Sequence, residues 1–174
     1  MKLYLKQKVF SWKDKSNVKD ELGNDKYFVE GKVLSMGKKL TVFDAEQNEV
    51  AFIRQKVVTF MPKFFVEIGG EQVAEISKKF SLLKPKYVVN GPGWEIMGNF
   101  TAHDYSIRDG EKEIAGIHKK WMSWGDAFEI DIASEKDEII VLGVVLAIDA
   151  VMDSSENAAA GGLAGGAISF GSND

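Results

Sequence analysis

The chain has no cysteine, only two histidines, two arginines and three prolines in 174 residues. Without cysteine there is no disulfide scaffold, thiol nucleophile or cysteine metal site, and a reducing, cytoplasmic setting is the simplest expectation. With only His103 and His118, a histidine-based triad has little to draw on, and a metal site would need carboxylates. Scarce proline, 45% hydrophobic and 28% charged residues exclude collagen-like and disordered chains. The beginning, Met1 to Lys8, alternates charged and apolar residues and lacks the apolar stretch of a signal peptide. Glycine-rich phosphate loops and recognisable triad or metal spacings are missing too, so no catalytic residue, metal or cofactor is expected and the chain does not read as an enzyme.

What is present is β-rich. Most of residues 1 to 132 consists of short segments rich in Val, Ile, Phe, Tyr and Thr, separated by turns such as Asp44–Asn48, Gly69-Gly70, Asn90-Gly91-Pro92-Gly93 and Asp109-Gly110. That spacing predicts an antiparallel meander with strands near 3–12, 27–36, 39–44, 50–60, 63–68, 72–80, 86–90, 94–100, 104–108, 113–121 and 127–132. Residues 13 to 24, rich in Asp, Ser and Asn, read as a loop or one helical turn.

Three hairpins repeat one pattern: Val50-Ala51-Phe52-Ile53, Val73-Ala74-Glu75-Ile76 and Ile114-Ala115-Gly116-Ile117. At a period of two, the Ala/Ile column faces inward and the variable column outward. After Asp137-Glu138 come ten unbroken apolar or glycine residues, Ile139 to Ile148. With Ser134 and Asp137 as a start signal, they predict a helix over about 136–153 that is apolar around its circumference and therefore buried on all sides. A bilayer span needs about 20 apolar residues and would not hold Asp149 cheaply, so burial in protein is expected, with no transmembrane span. Both halves are satisfied by one domain over 1–153, a closed antiparallel β-barrel of about twelve strands around a central hydrophobic C-terminal helix. Residues 154–174, Ala/Gly-rich, read as a flexible tail.

The segments Lys8-Val9-Phe10-Ser11-Trp12, Tyr27-Phe28-Val29-Glu30-Gly31-Lys32, the Val/Ile-Ala-x-Ile-x-x-Lys hairpins, Trp94–Phe100 and Val145–Asp149 together resemble the LURP-one-related family, over roughly residues 3 to 153. That family has the tubby C-terminal-like fold shared with phospholipid scramblases. The resemblance implies twelve strands around a C-terminal hydrophobic helix and no catalytic residues. Better-studied proteins of this fold bind phosphoinositides or act at membranes, although no phosphoinositide motif of tubby proteins matches here residue by residue.

Candidate binding residues are the lysine pairs Lys38-Lys39, Lys78-Lys79 and Lys119-Lys120, with Lys63, Lys84 and Lys86 in nearby turns. Two pairs hold the same position in the repeated hairpin and are placed to share one rim, where ammonium groups can hold lipid phosphates. The bland alternative is lysine placed on strand ends to prevent edge association. The net charge of −4 divides into +5 over residues 1–120 and −9 over 121–174, and a pI near 5.3 argues against a nucleic-acid partner. His103 and Asp104, adjacent on a strand, point to opposite faces, and both histidines are expected at the surface. Glu135, Asp137 and Glu138 suit a helix N-terminus better than a calcium loop. Asp149, in an apolar helix, must be paired, hydrogen-bonded or protonated, and is expected to be a structural anchor near the helix exit. The aromatic stretches Phe60–Phe65 and Trp121–Trp124 are expected to pack in the core and loops. The function expected is a non-enzymatic binding domain for anionic phospholipid or a protein partner, cytoplasmic and peripheral at the membrane; the alternative is a structural or regulatory scaffold with no small-molecule ligand.

Overall fold

The computed structural model describes residues 1–6, 15–34, 37–57, 59, 61–79, 86–122 and 125–164, with side chains for all of these except 34, 78, 79, 86, 101, 126 and 155–164. Twelve strands precede one long helix: β1 (Lys2–Lys6), β2 (Lys15–Lys19), β3 (Asp25–Leu34), β4 (Gly37–Phe43), β5 (Glu49–Gln55), β6 (Lys63–Ile68), β7 (Glu71–Lys79), β8 (Lys86–Asn90), β9 (Glu95–Asn99), β10 (Asp104–Asp109), β11 (Lys112–Met122), β12 (Gly125–Ile132) and α1 (Glu138–Ala164). They form one antiparallel sheet in the order β8-β7-β6-β5-β4-β3-β2-β1-β12-β11-β10-β9. The β1–β12 ladder, Lys2 opposite Asp131 through Lys6 opposite Ala127, joins the start of the chain to its last strand and curls the meander into a barrel.

Closure is completed without a ladder. β8 and β9, at the two ends of the sheet order, lie against each other but share no pairing among the described residues, where a fully closed barrel was expected. In the linker between them Gly91, at φ +126°, sits so close to the Val73 backbone that a Cβ would collide with it. Side chains fill the seam instead. Tyr87 and Phe100 meet edge to face at 4.8 Å, Phe100 and Tyr105 at 5.4 Å, and Trp94 is buried beside them in the same core.

The inward column is the expected one. Ala51, Ile53, Ala74, Ile76, Ala115 and Ile117 are all buried, and α1 packs on β5, β6, β7 and β12. Every residue from Val141 to Val151 except Gly143 and Asp149 belongs to the apolar core. Gly143 permits the closest approach, since a Cβ there would stand 2.6 Å from Val66 Cγ1. A fully buried Leu, Ile or Val contributes about 1.5–3 kcal/mol, so helix and barrel each supply the other's core.

Three expectations are corrected. The region read as a loop over 13–24 contains β2, because the turn after it is tighter than its composition suggests: Asp20 Oδ1 accepts from the backbone N–H of Leu22 at 2.9 Å and of Asn24 at 2.8 Å. Val18, buried at 1% exposure, is the inward residue of that strand. Helix α1 begins after a 3-10 turn over Glu135–Asp137 whose Ser134 makes no side-chain cap, rather than at 136. It continues through Ala164 instead of yielding to a tail after 153, since nothing from Ser154 to Ala160 breaks a helix and three of these residues are alanines, the strongest helix formers. Residues 165–174, and the expected motif Lys8–Trp12, lie outside the described residues. Among the described residues no helix is long and apolar enough to cross a membrane.

Candidate functional site

Because consecutive strands are antiparallel, alternate strand ends open to opposite mouths of the barrel. One mouth gathers the start of β4 (Lys38-Lys39), the ends of β7 (Lys78-Lys79) and β11 (Lys119-Lys120), and the start of β8 at Lys86, which pairs with Lys79. Lys6, Lys15, Lys56 and Lys63 belong to the same mouth. The structure therefore brings all three lysine pairs to one rim; Lys84 lies outside the described residues. Among the described residues, acids at this mouth are Glu30, Asp104, Asp126, and Asp149, Asp153 and Glu156 of α1.

The opposite mouth is acidic. Its turns carry Asp20, Glu21, Asp44, Glu46, Asp109 and Glu111, and α1 starts there behind Glu135 and Asp137, where negative charge meets a helix N-terminus favourably. Asp20 and Asp44 are held below the usual carboxylate range, Asp20 first by the Asn24 backbone N–H and Asp44 first by the Asn48 side chain. Three cations at or near this mouth stand in ion pairs: Lys19–Asp25 at 2.6 Å, Arg108–Glu113 at 3.4 Å and Lys2–Glu129 at 3.0 Å. Lys26 Nζ stands 2.6 Å from Glu138 Oε1, an ion pair by distance.

Individual lysines of the basic mouth differ in surroundings. Lys38 reaches α1, donating to Asp153 Oδ2 at 2.7 Å and Ser154 Oγ at 3.2 Å. Lys39 sits over the Phe52 ring at 5.9 Å, and Lys63 pairs with Glu75 at 2.8 Å. Lys120 stands 3.8 Å from Glu129. Burial pushes the Glu129 carboxyl up, but hydrogen bonds from Lys2 and Tyr4 and the lysine charges outweigh it and hold the group below its ordinary value. None of β4, β7 and β11 is an edge strand, since each is paired on both sides. At the lysines themselves, however, the described ladders run on one side only, Lys78-Lys79 with β8 and Lys119-Lys120 with β12, so lysine there also suits the protection of a strand end.

Asp149 is hydrogen-bonded, to a partner the sequence did not show. His103, expected at the surface, is turned into the barrel: it caps the 3-10 turn Phe100–Ala102 in the left-handed conformation, φ 50° and ψ 46°, which takes it out of strand alternation. Its Nε2 lies 3.1 Å from Asp149 Oδ1, with 13% and 7% of the two side chains exposed, and its ring stacks on Phe128 at 4.8 Å. A carboxylate can only accept, so Nε2 carries the proton. The hydrogen bond to Asp149, then the charge of Asp149, raise the His103 pKa against burial and against the nearby Lys119. His103 Nδ1 and the Tyr105 hydroxyl are buried without hydrogen-bond partners among the described residues; burial first, and Asp149 second, hold the Tyr105 phenol far above its usual range.

His118 is exposed as expected, its Nδ1 2.9 Å from Asp104 Oδ1, so the adjacent His103 and Asp104 do face opposite ways. Phe64 and Phe65 are core, whereas Trp121, expected to pack, is 81% exposed at the basic mouth. Phe60 and Trp124 lie outside the described residues. No group of three His, Asp or Glu among the described residues could hold a metal ion.

The comparisons with known proteins agree with this architecture. Over 157 residues the chain is 34% identical to "Uncharacterized protein YxjI" of Bacillus subtilis (strain 168), covering 90% of this chain and 97% of that one. A crystal structure of an Arabidopsis thaliana protein superposes with a TM-score of 0.56 at 16% identity, covering 86% of this chain and 90% of the other, which shows a common fold. The LURP-one-related family model matches residues 1–149, from the first strand to the aspartate that pins the helix, and the chain belongs to that family.

Proposed function

We propose that the chain is a non-enzymatic binding domain whose basic mouth takes anionic phospholipid headgroups. The observation that carries this is the convergence of Lys38-Lys39, Lys78-Lys79 and Lys119-Lys120 on one mouth of a barrel whose other mouth is acidic. Like charges gathered at one pole repel one another, and an anionic surface would relieve that repulsion. The fold offers support by analogy, since better-studied proteins resembling it bind phosphoinositides or act at membranes. A second reading, a scaffold with no small ligand, draws on α1 filling the barrel interior; it is the fallback if the mouth binds nothing.

The test is co-sedimentation with vesicles of phosphatidylcholine containing phosphatidylserine or a phosphoinositide, for wild type and for a variant with Lys78, Lys79, Lys119 and Lys120 replaced by Glu. Each lysine near such a surface is worth about 1 kcal/mol, so the variant should lose orders of magnitude in affinity while keeping its circular dichroism. Wild-type binding should also weaken as salt rises. Equal binding by both proteins, or none by wild type, rejects the reading and turns the search to a protein partner by pull-down.

A further inference from the structure

The basic mouth is not only charged. Of the five large hydrophobic residues exposed on the described surface, three stand at that mouth: Val33 at the end of β3, Val57 after β5 and Trp121 at the end of β11. Val57 lies at the β3–β4 hairpin, close enough that a Cβ on Gly37 would stand 2.9 Å from its Cγ1. Leu22 alone marks the acidic mouth, and Met97 lies on the wall. Apolar tips interspersed with lysines match the chemistry of an anionic bilayer surface, where tryptophan prefers the headgroup level and ammonium groups meet phosphates. The acidic mouth would be repelled from the same surface.

We infer that the barrel docks end-on to an anionic bilayer, with its basic mouth against the headgroups and Trp121, Val33 and Val57 entering the interface. The inference rests on the proposed lipid reading and goes beyond it by fixing which residues enter the membrane and which way the barrel stands. Charge asymmetry alone turns the basic mouth towards the surface but leaves the protein in the diffuse layer; three apolar tips at one rim define a plane of entry. Helix α1 runs from Glu138 at the acidic mouth to Asp153, held by Lys38, at the basic one, so its carboxy-terminal turns face the bilayer.

The absence of cysteine makes the test direct, because a single introduced thiol is the only one to label. Full-length Val33→Cys and Leu22→Cys, each carrying an environment-sensitive fluorophore, are mixed with phosphatidylcholine vesicles with and without phosphatidylserine, and pelleting is measured alongside. The label at 33 should shift to the blue on anionic vesicles while the label at 22 stays as in buffer. Trp121→Ala should lower vesicle affinity about tenfold, through loss of an interfacial aromatic, with the salt dependence unchanged. Protein that pellets without a shift at 33, equal shifts at both positions, or wild-type affinity in Trp121→Ala overturns end-on docking and leaves lysine-mediated binding standing. Failure of the wild type to pellet at all overturns both.

Discussion

The two mouths of the barrel handle charge in opposite ways. At the acidic mouth, signs are interspersed: Lys19, Lys26 and Arg108 each have a carboxylate within ion-pair distance, and the turns are tightened by their own aspartates. At the basic mouth, Asp149 and Asp153 of the helix are engaged by His103 and Lys38, and Lys15, Lys63 and Lys120 also have carboxylates within ion-pair distance, but lysines outnumber acids at the strand ends. The difference is one of balance: acids outnumber cations at the mouth that holds the helix start, and lysines outnumber acids at the mouth where Asp149 and Asp153 hold the other end of the shaft.

The largest expected effect lies in the shaft between the mouths. Leu142 is fully buried, and Leu142→Asp should abolish the cooperative denaturant transition by burying an unpaired carboxylate at a cost of several kcal/mol. Leu22→Asp, in an exposed turn, should stay within about 0.5 kcal/mol of wild type. Next comes the pin at the basic mouth. Asp149→Ala strands a largely buried imidazole and should cost about 2–3 kcal/mol in urea melts. The effect depends on pH in a defined direction. The folded pKa of His103 is raised, so the pair's stabilisation is full below the unfolded value of about 6.5 and fades as pH climbs through the folded one. The gap between wild type and Asp149→Ala should therefore be widest in mild acid and narrow with rising pH; a gap constant across that window would show that His103 does not titrate against Asp149. Smaller still is the pin at the acidic mouth, where Lys26 is 36% exposed. Glu138→Ala should cost about 1 kcal/mol in the same melts, and a loss matching that of Asp149→Ala would erase the asymmetry between the pins.

Much of the fold was legible because two periodicities are clean. The Ala/Ile column repeats at a period of two in three hairpins, and Ile139–Ile148 admits no solvent-facing side. β2 was hidden because its inward face rests on Val18 amid Lys, Ser and Asn, and the helix end because alanine and glycine runs carry no amphipathic signal. In the candidate site, the common position of Lys78-Lys79 and Lys119-Lys120 in the repeat placed them on one rim, whereas adding Lys38-Lys39 required the sheet order. The His103–Asp149 pair could not be read at all: the residues are far apart in sequence, and a left-handed backbone at a non-glycine residue, which has no compositional mark, turns His103 inward. Trp121 was misplaced because aromatic density in strands usually means core, and nothing local marks an outward position at a strand end.

The most direct measurement of the asymmetry neutralises equal charge at each mouth. One variant carries Gln at Lys78, Lys79, Lys119 and Lys120; the other carries Gln at Glu46, Glu49, Glu71 and Glu111, all exposed at the acidic mouth. Affinity for phosphatidylserine-containing vesicles at low salt should fall steeply in the first and hold or rise slightly in the second. Equal losses in both, or a change that tracks net charge alone whichever mouth is altered, would contradict a basic mouth that binds anionic lipid.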